Sequence, residues 1–216
     1  MNKDLKYAQS RLTESVIRRF WKAMTLSYPA MCVNDGVSIE YHKPFQQRNV
    51  DRIVDKLTRC KTSVNVACPI FQYDYDPPNS MPHHVSAITL TQMPNATTVL
   101  SFFDPKGRGS VRPRQEELIM GVLAKAIEKK TGRNVILKMY TGDNLQKNDD
   151  IGLCQLFSLF YLYEYVTEIN KLNPKALSVL ADPNAMVPFI RAKRRGFTDK
   201  TLLSFWQGFF PSMHRK

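Results

Sequence analysis

Apolar side chains recur at helical spacing through Leu5, Ala8, Leu12, Val16, Phe20 and Met24, which predicts an amphipathic helix over about Asp4 to Ser27. Tyr28-Pro29 closes it, because proline disfavours helix in the residue before it. After a looser stretch to Pro44, Val50, Ile53, Val54 and Leu57 predict a second helix over Gln46 to Arg59. The period then shortens. Val64 to Phe71 reads as a strand, and the turn-rich Asp74 to Pro82 contains Pro77-Pro78-Asn79. His84 to Leu90 and Thr97 to Phe103 are strong strands whose Met93-Pro94-Asn95 link predicts a hairpin. Pro105-Lys106-Gly107 ends the second. Arg114 to Lys130 returns to helical spacing, with Leu118, Ile119, Val122, Leu123, Ala126 and Ile127 apolar and Thr131-Gly132 placed as a C-cap. Val135 to Tyr140 predicts a strand, and the polar loop Thr141 to Asp150 leads into an apolar helix from about Leu153 to Ile169. Pro183 to Arg195, Thr198 to Phe210 and a basic end, His214-Arg215-Lys216, complete the chain.

This order predicts an α+β fold with a central mixed or antiparallel sheet packed between helices. Residues 1–60 read as an N-terminal helical arm or subdomain and 61–216 as the functional domain, with one continuous domain as the other arrangement. The 216 residues suffice for one sizeable core, and the 43% apolar content excludes a disordered chain. The longest apolar run, Leu153 to Val166, is broken by Gln155, Ser158 and Glu164, so no membrane span is expected. The first fifteen residues lack an apolar signal region, which argues against secretion by that route.

Cys32, Cys60, Cys68 and Cys154 form no CxxC pair, which argues against a zinc ribbon and a disulfide framework and fits a reducing compartment. No metal site is expected. A formal charge of +12 calls for an acidic partner, for which nucleic acid is the usual candidate. Lys106, Arg108, Arg112 and Arg114 form one basic cluster, and Arg191, Lys193, Arg194 and Arg195 another; both are candidate phosphate contacts. A solvated basic face is the plainer reading of each.

Three reactive residues stand at element ends. His84 begins a strand, Asp104 follows its partner, and Cys154 begins a helix. In an antiparallel pair, the start of one strand lies beside the end of the other. Imidazole and carboxylate would then meet at one sheet edge, where the carboxylate fixes the tautomer and stabilises the imidazolium. A cysteine at a helix N-terminus beside an imidazolium is favoured as thiolate. Its backbone N–H would face a developing oxyanion. Taken singly, each residue has a plainer reading: a small core hydrophobe, a structural histidine, a turn aspartate. Their order and placement agree.

His84-Val85-Ser86-Ala87-Ile88, Leu100 to Gly107 and Gly152-Leu153-Cys154-Gln155-Leu156-Phe157-Ser158 together resemble the superfamily of SUMO-specific and adenoviral cysteine proteases, over roughly Ser63 to Tyr165. The Cys segment is most similar to versions in large DNA viruses. The resemblance implies that Cys154 is the nucleophile, His84 the general base (His83 being its rival) and Asp104 the orienting acid. Gln146 would be the second oxyanion donor, with Asn148 as a substitute. The aromatic that follows the histidine in the family is replaced by Val85, and the Asp-Cys-Gly signature of SUMO-type members is absent. The implied activity is a thiol endopeptidase that matures viral capsid or core precursors in the virion or host cytoplasm. Its chemistry needs no cofactor, and DNA or a peptide would act as activator. The rival functions are a protease for ubiquitin-like proteins, an effector acetyltransferase with the same triad, and a non-catalytic nucleic-acid-binding or virion structural protein.

Overall fold

The computed structural model describes residues 14–28, 32–34, 36–41, 45–60, 65–73, 84–110, 112–145, 153–171 and 176–194. Residues 4–13 of the first expected helix, the turn segment 74–82, His83, Gln146, Asn148, Arg195 and the expected helix 198–210 lie outside them.

The described elements run α1 (Glu14–Ser27), β1 (Cys32–Val33), β2 (Val37–Glu40), α2 (Gln47–Thr58), β3 (Val66–Tyr73), β4 (His84–Gln92), β5 (Thr98–Phe103), α3 (Pro113–Thr131), β6 (Val135–Met139), α4 (Leu153–Ile169), α5 (Leu177–Leu180) and α6 (Pro183–Arg194). β3, β4 and β5 pair antiparallel at the centre of a mixed sheet, and β6 adds in parallel to β5. The stretch expected to be loose holds β1 and β2, which both pair in parallel with the other edge of β3. They are too short to carry a period of their own, so their hydrogen-bonding edge reveals them and their sequence does not. The sheet therefore continues across the boundary expected near residue 60.

Every residue of β3 and β5 is buried, as strands covered on both faces must be. One face carries Val85, Ala87 and Phe103 against α1, α4 and α6; the other carries Ile88, Leu90, Leu100 and Phe102 against α2 and α3. The result is a sheet between two helical layers, the α+β arrangement the alternation of periods predicts. Gly132 takes the left-handed C-cap conformation at the end of α3, at φ 66°. Among the described residues, no helix is long and apolar enough to cross a membrane.

α4 sits across β4 through polar contacts inside an otherwise apolar interface. Ser158 Oγ donates to the Val85 carbonyl at 2.9 Å, and Tyr165 Oη donates to the Leu90 carbonyl at 2.8 Å. Tyr161 stacks on Phe103 with centroids 4.3 Å apart. Each buried hydrogen bond has a mate whose loss would cost about 1–3 kcal/mol, so the helix has one register on the strand. That register decides where its first turn lies.

The turn after β5 has an equally strict requirement. Lys106 N–H donates to Asp104 Oδ1 and Gly107 N–H to the Asp104 carbonyl, at 2.8 and 2.9 Å. Gly107 has φ 50°, and a Cβ there would stand 2.2 Å from the Gly142 carbonyl oxygen. Gly121, in the middle of α3, has nothing within 4 Å of such a Cβ. Alanine at the two positions therefore acts in opposite directions. In thermal melts, Gly121→Ala raises stability by about 0.5–1 kcal/mol, whereas Gly107→Ala lowers it by more than about 1 kcal/mol.

Candidate active site

The pairing of Ala87 with Phe103 brings the start of β4 beside the end of β5. His84 Nε2 and Asp104 Oδ1 are 2.8 Å apart, with side chains 13% and 4% exposed. An ionised carboxylate only accepts, so Nε2 is the donor and Nδ1 is left for a second partner. The Lys106 N–H shares Oδ1 and holds the carboxylate in place.

Cys154 is the second residue of α4 and is buried. Its sulfur lies beside the imidazole of His84 and the backbone of Val85, close enough for both to act on its charge. Ser158, one turn further along α4, is bonded to that same residue through its carbonyl, so the contact that fixes the helix also fixes the thiol. Among the described residues, no intrahelical acceptor precedes the Cys154 backbone N–H.

The charges follow from this arrangement. Burial alone raises the Cys154 thiol, but the facing imidazolium, its hydrogen bond and the Val85 backbone outweigh it and hold the thiol below its ordinary value. Burial likewise pulls His84 down; Cys154 and Asp104 reverse this and push it up to about 10. Burial opposes the ionised form of Asp104, yet His84 and the Lys106 N–H keep it below the ordinary carboxylate value. These shifts all favour a thiolate–imidazolium pair with a carboxylate behind the imidazole. Such a thiolate can attack a carbonyl carbon, and the imidazolium can protonate the leaving group.

The pattern of apolar residues did not reveal one member of the site. Glu116, in the first turn of α3, is 3% exposed and accepts from Ser110 Oγ at 2.9 Å. Its carboxyl faces Asp104, and burial together with that charge pushes it up to about 8. The spacing offers two apolar stripes on α3, and packing chooses between them. The buried stripe of α3 is Glu116, Ile119, Met120, Leu123, Ala124 and Ile127, while Leu118 is 69% exposed. A carboxyl in register with the buried stripe is a buried ionisable group. Asp104 and Glu116 line a cavity of about 420 Å³ together with Arg108, Met139 and Tyr140.

The basic residues are placed less uniformly. Arg108 and Arg191, from separate clusters, line one cavity with Tyr140 and Asn184. Arg108 donates to the Thr141 carbonyl, and Arg112 stands over the Tyr41 ring at 5.1 Å. Lys193 is ion-paired with Glu164 and Glu168. Arg114 borders a shallow cavity on α3, away from the triad. A larger cavity of about 720 Å³, bordered by Arg18, Arg48, Arg52 and Lys56, lies between β2 and α2 and touches none of His84, Asp104 and Cys154. Among the described residues, no cluster of His, Cys, Asp and Glu has the makings of a metal site.

No family model matches the chain, and no curated protein matches it. Solved structures of similar shape include AvrA with IP6 and CoA (13% identity, TM-score 0.46, 79% of this chain and 58% of that one). The Legionella pneumophila effector RavZ aligns at 11% identity and TM-score 0.42, over 76% of this chain and 47% of that one. The central domain of the uncharacterized Lpg1148 protein from Legionella pneumophila aligns at 13% identity and TM-score 0.39, over 80% and 88%. The chain thus spans about half the length of the first two.

The charge state of the site has a pH signature. Moving the thiol proton to the imidazole leaves the net proton count of folding unchanged between the ordinary His and Cys values, about 6.5 and 8.5. Below that window the unfolded chain binds more protons and stability falls with acid. As pH rises through the His84 value of about 10, its stabilising contribution is lost. Iodoacetamide alkylates Cys154 faster at neutral pH than it does Cys32, whose thiol burial pushes up, and His84→Ala lowers the Cys154 rate at least tenfold. Equal rates in wild type and His84→Ala would mean that the thiol has no imidazolium partner.

Proposed function

We propose that this chain is a cysteine-nucleophile enzyme that cleaves peptide bonds, with Cys154 as nucleophile, His84 as proton carrier and Asp104 as orienting carboxylate. The observation that carries this reading is the 2.8 Å His84–Asp104 hydrogen bond with the Cys154 thiol beside the same imidazole.

The Cys154 thiolate attacks the peptide carbonyl carbon and forms a tetrahedral oxyanion. The Cys154 N–H at the start of α4 donates to that oxygen, and Gln146, expected as the second donor, lies outside the described residues. When the C–N bond breaks, His84 gives its proton to the departing amine. A water then loses a proton to His84 as it attacks the thioester, the C–S bond breaks, and the acid product leaves with thiolate and imidazolium restored. The same attack serves any activated acyl group, so acetyl transfer from a thioester differs in the leaving group, a thiol in place of the amine, and in what accepts the acyl group from Cys154.

The proposal extends to a narrower role, namely maturation of viral capsid or core precursors inside particles or host cytoplasm, with DNA as activator. The resemblance over the three motif segments and the formal charge of +12 support it. For such an activator, cleavage would rise on adding duplex DNA, and the stimulation would shrink steeply with added salt.

The central test uses wild type and Cys154→Ala with a proteome-derived peptide library and, separately, with acetyl-CoA, each followed by mass spectrometry. New peptide termini in the wild-type digest alone support the peptidase. Acetylated Cys154 without cleavage would replace it with acyl transfer. Cleavage by Cys154→Ala, or neither product, would end the enzymatic reading.

A further inference from the structure

Asp104 Oδ2 is buried and receives no hydrogen bond from an N–H or hydroxyl group among the described residues, and the Glu116 carboxyl, lining the same cavity, stands against the Asp104 carboxyl. Two carboxyl oxygens in contact inside a protein share a proton, because both cannot ionise without a large repulsive cost. The partners decide where the proton resides. Asp104 Oδ1 accepts from His84 Nε2 and the Lys106 N–H, which stabilises its charge. Among the described residues, the hydrogen bond that Glu116 accepts comes from the Ser110 hydroxyl to Oε2, which leaves Oε1 to carry a hydrogen.

We propose that Glu116 is a positioning residue: it stays protonated in the working enzyme and donates its proton to Asp104 Oδ2, so that Oδ1 is held toward His84. The inference rests on the reading of Cys154, His84 and Asp104 as a catalytic triad and adds a fourth, neutral member to it. By strand alternation, His84 and Asp104 belong to the sheet face covered by α3, whereas Cys154 arrives on α4 from the opposite face. Glu116 therefore reaches Asp104 from the side that the thiol does not use. It contacts neither the nucleophile nor the leaving group.

The titratable and charged groups around Glu116 are Asp104 and His84 from the strands, Arg108 and Tyr140 across the shared cavity, and Glu117 of its own helix. Arg108 is drawn to the Thr141 carbonyl. The nearest strong influence is thus the Asp104 carboxylate, which favours the neutral acid, with burial acting in the same direction. An acid whose folded value is raised binds its proton more tightly folded than unfolded. Its effect is to lower stability progressively as pH rises from its ordinary value of 4.5 to about 8.

Three measurements on the full chain test this. The infrared spectrum of wild type near neutral pH shows a protonated-carboxyl C=O band that is absent from Glu116→Gln. The melting temperature of wild type relative to Glu116→Gln falls as pH is raised across that window. Glutamine supplies an N–H for Asp104 Oδ2 and an oxygen for Ser110, so Cys154 alkylation by iodoacetamide stays within about threefold of wild type, while Glu116→Ala drops roughly tenfold. If no carboxyl band is lost in Glu116→Gln, or if a folded Glu116→Ala alkylates like wild type, the role of Glu116 is overturned. If Glu116→Ala does not fold, the infrared band and the Glu116→Gln melting series still decide. A wild-type Cys154 no more reactive than an ordinary thiol sinks the triad reading instead.

Discussion

A buried hydrogen bond between His84 Nε2 and Asp104 Oδ1 is the constraint on which the rest of the site depends. An imidazolium and a carboxylate are costly to remove from water unless each is paired and the pair is itself held by further hydrogen bonds. The chain meets that condition from several directions. The Lys106 N–H completes Oδ1, the Gly107 turn keeps Asp104 at the strand end, and the Cys154 sulfur beside the ring favours its charged form. Remove any one, and a charge is left buried without its mate.

The same constraint explains why the fold takes such care over α4. A thiol 4% exposed gains nothing from burial unless the imidazole is within reach. The helix is therefore keyed to β4 by Ser158 on the Val85 carbonyl and by Tyr165 on the Leu90 carbonyl, rather than by apolar contact alone. Apolar surfaces slide; these hydrogen bonds do not. On the opposite side of the sheet α3 presents Glu116, so the triad is gripped between two helical layers through a sheet edge.

Much of this was legible in the sequence. The alternation in His84 to Leu90 and in the strand before Asp104, and the apolar helix beginning at Leu153, locate all three reactive residues at element ends. From there antiparallel pairing brings His84 and Asp104 together. β1 and β2 were not legible, because strands of two and four residues derive their identity from the β3 edge they pair with. α3 shows a subtler limit. Its apolar residues Leu118 and Val122 look as suitable for a core as Met120 and Ala124, and only the packing against β5 and β6 selects the stripe that contains Glu116. The two basic clusters read as separate in sequence, yet Arg108 and Arg191 border one cavity because α6 folds back beside the end of β6.

The arrangement around His84 predicts a thiolate–imidazolium pair at rest, before any substrate arrives. Nitrogen NMR of the His84 ring near pH 8 tests it most directly. With His84 pushed up to about 10, both ring nitrogens carry protons in wild type, and the ring becomes more readily deprotonated once Cys154→Ala removes the thiolate. A neutral His84 ring in wild type at that pH would contradict the claim.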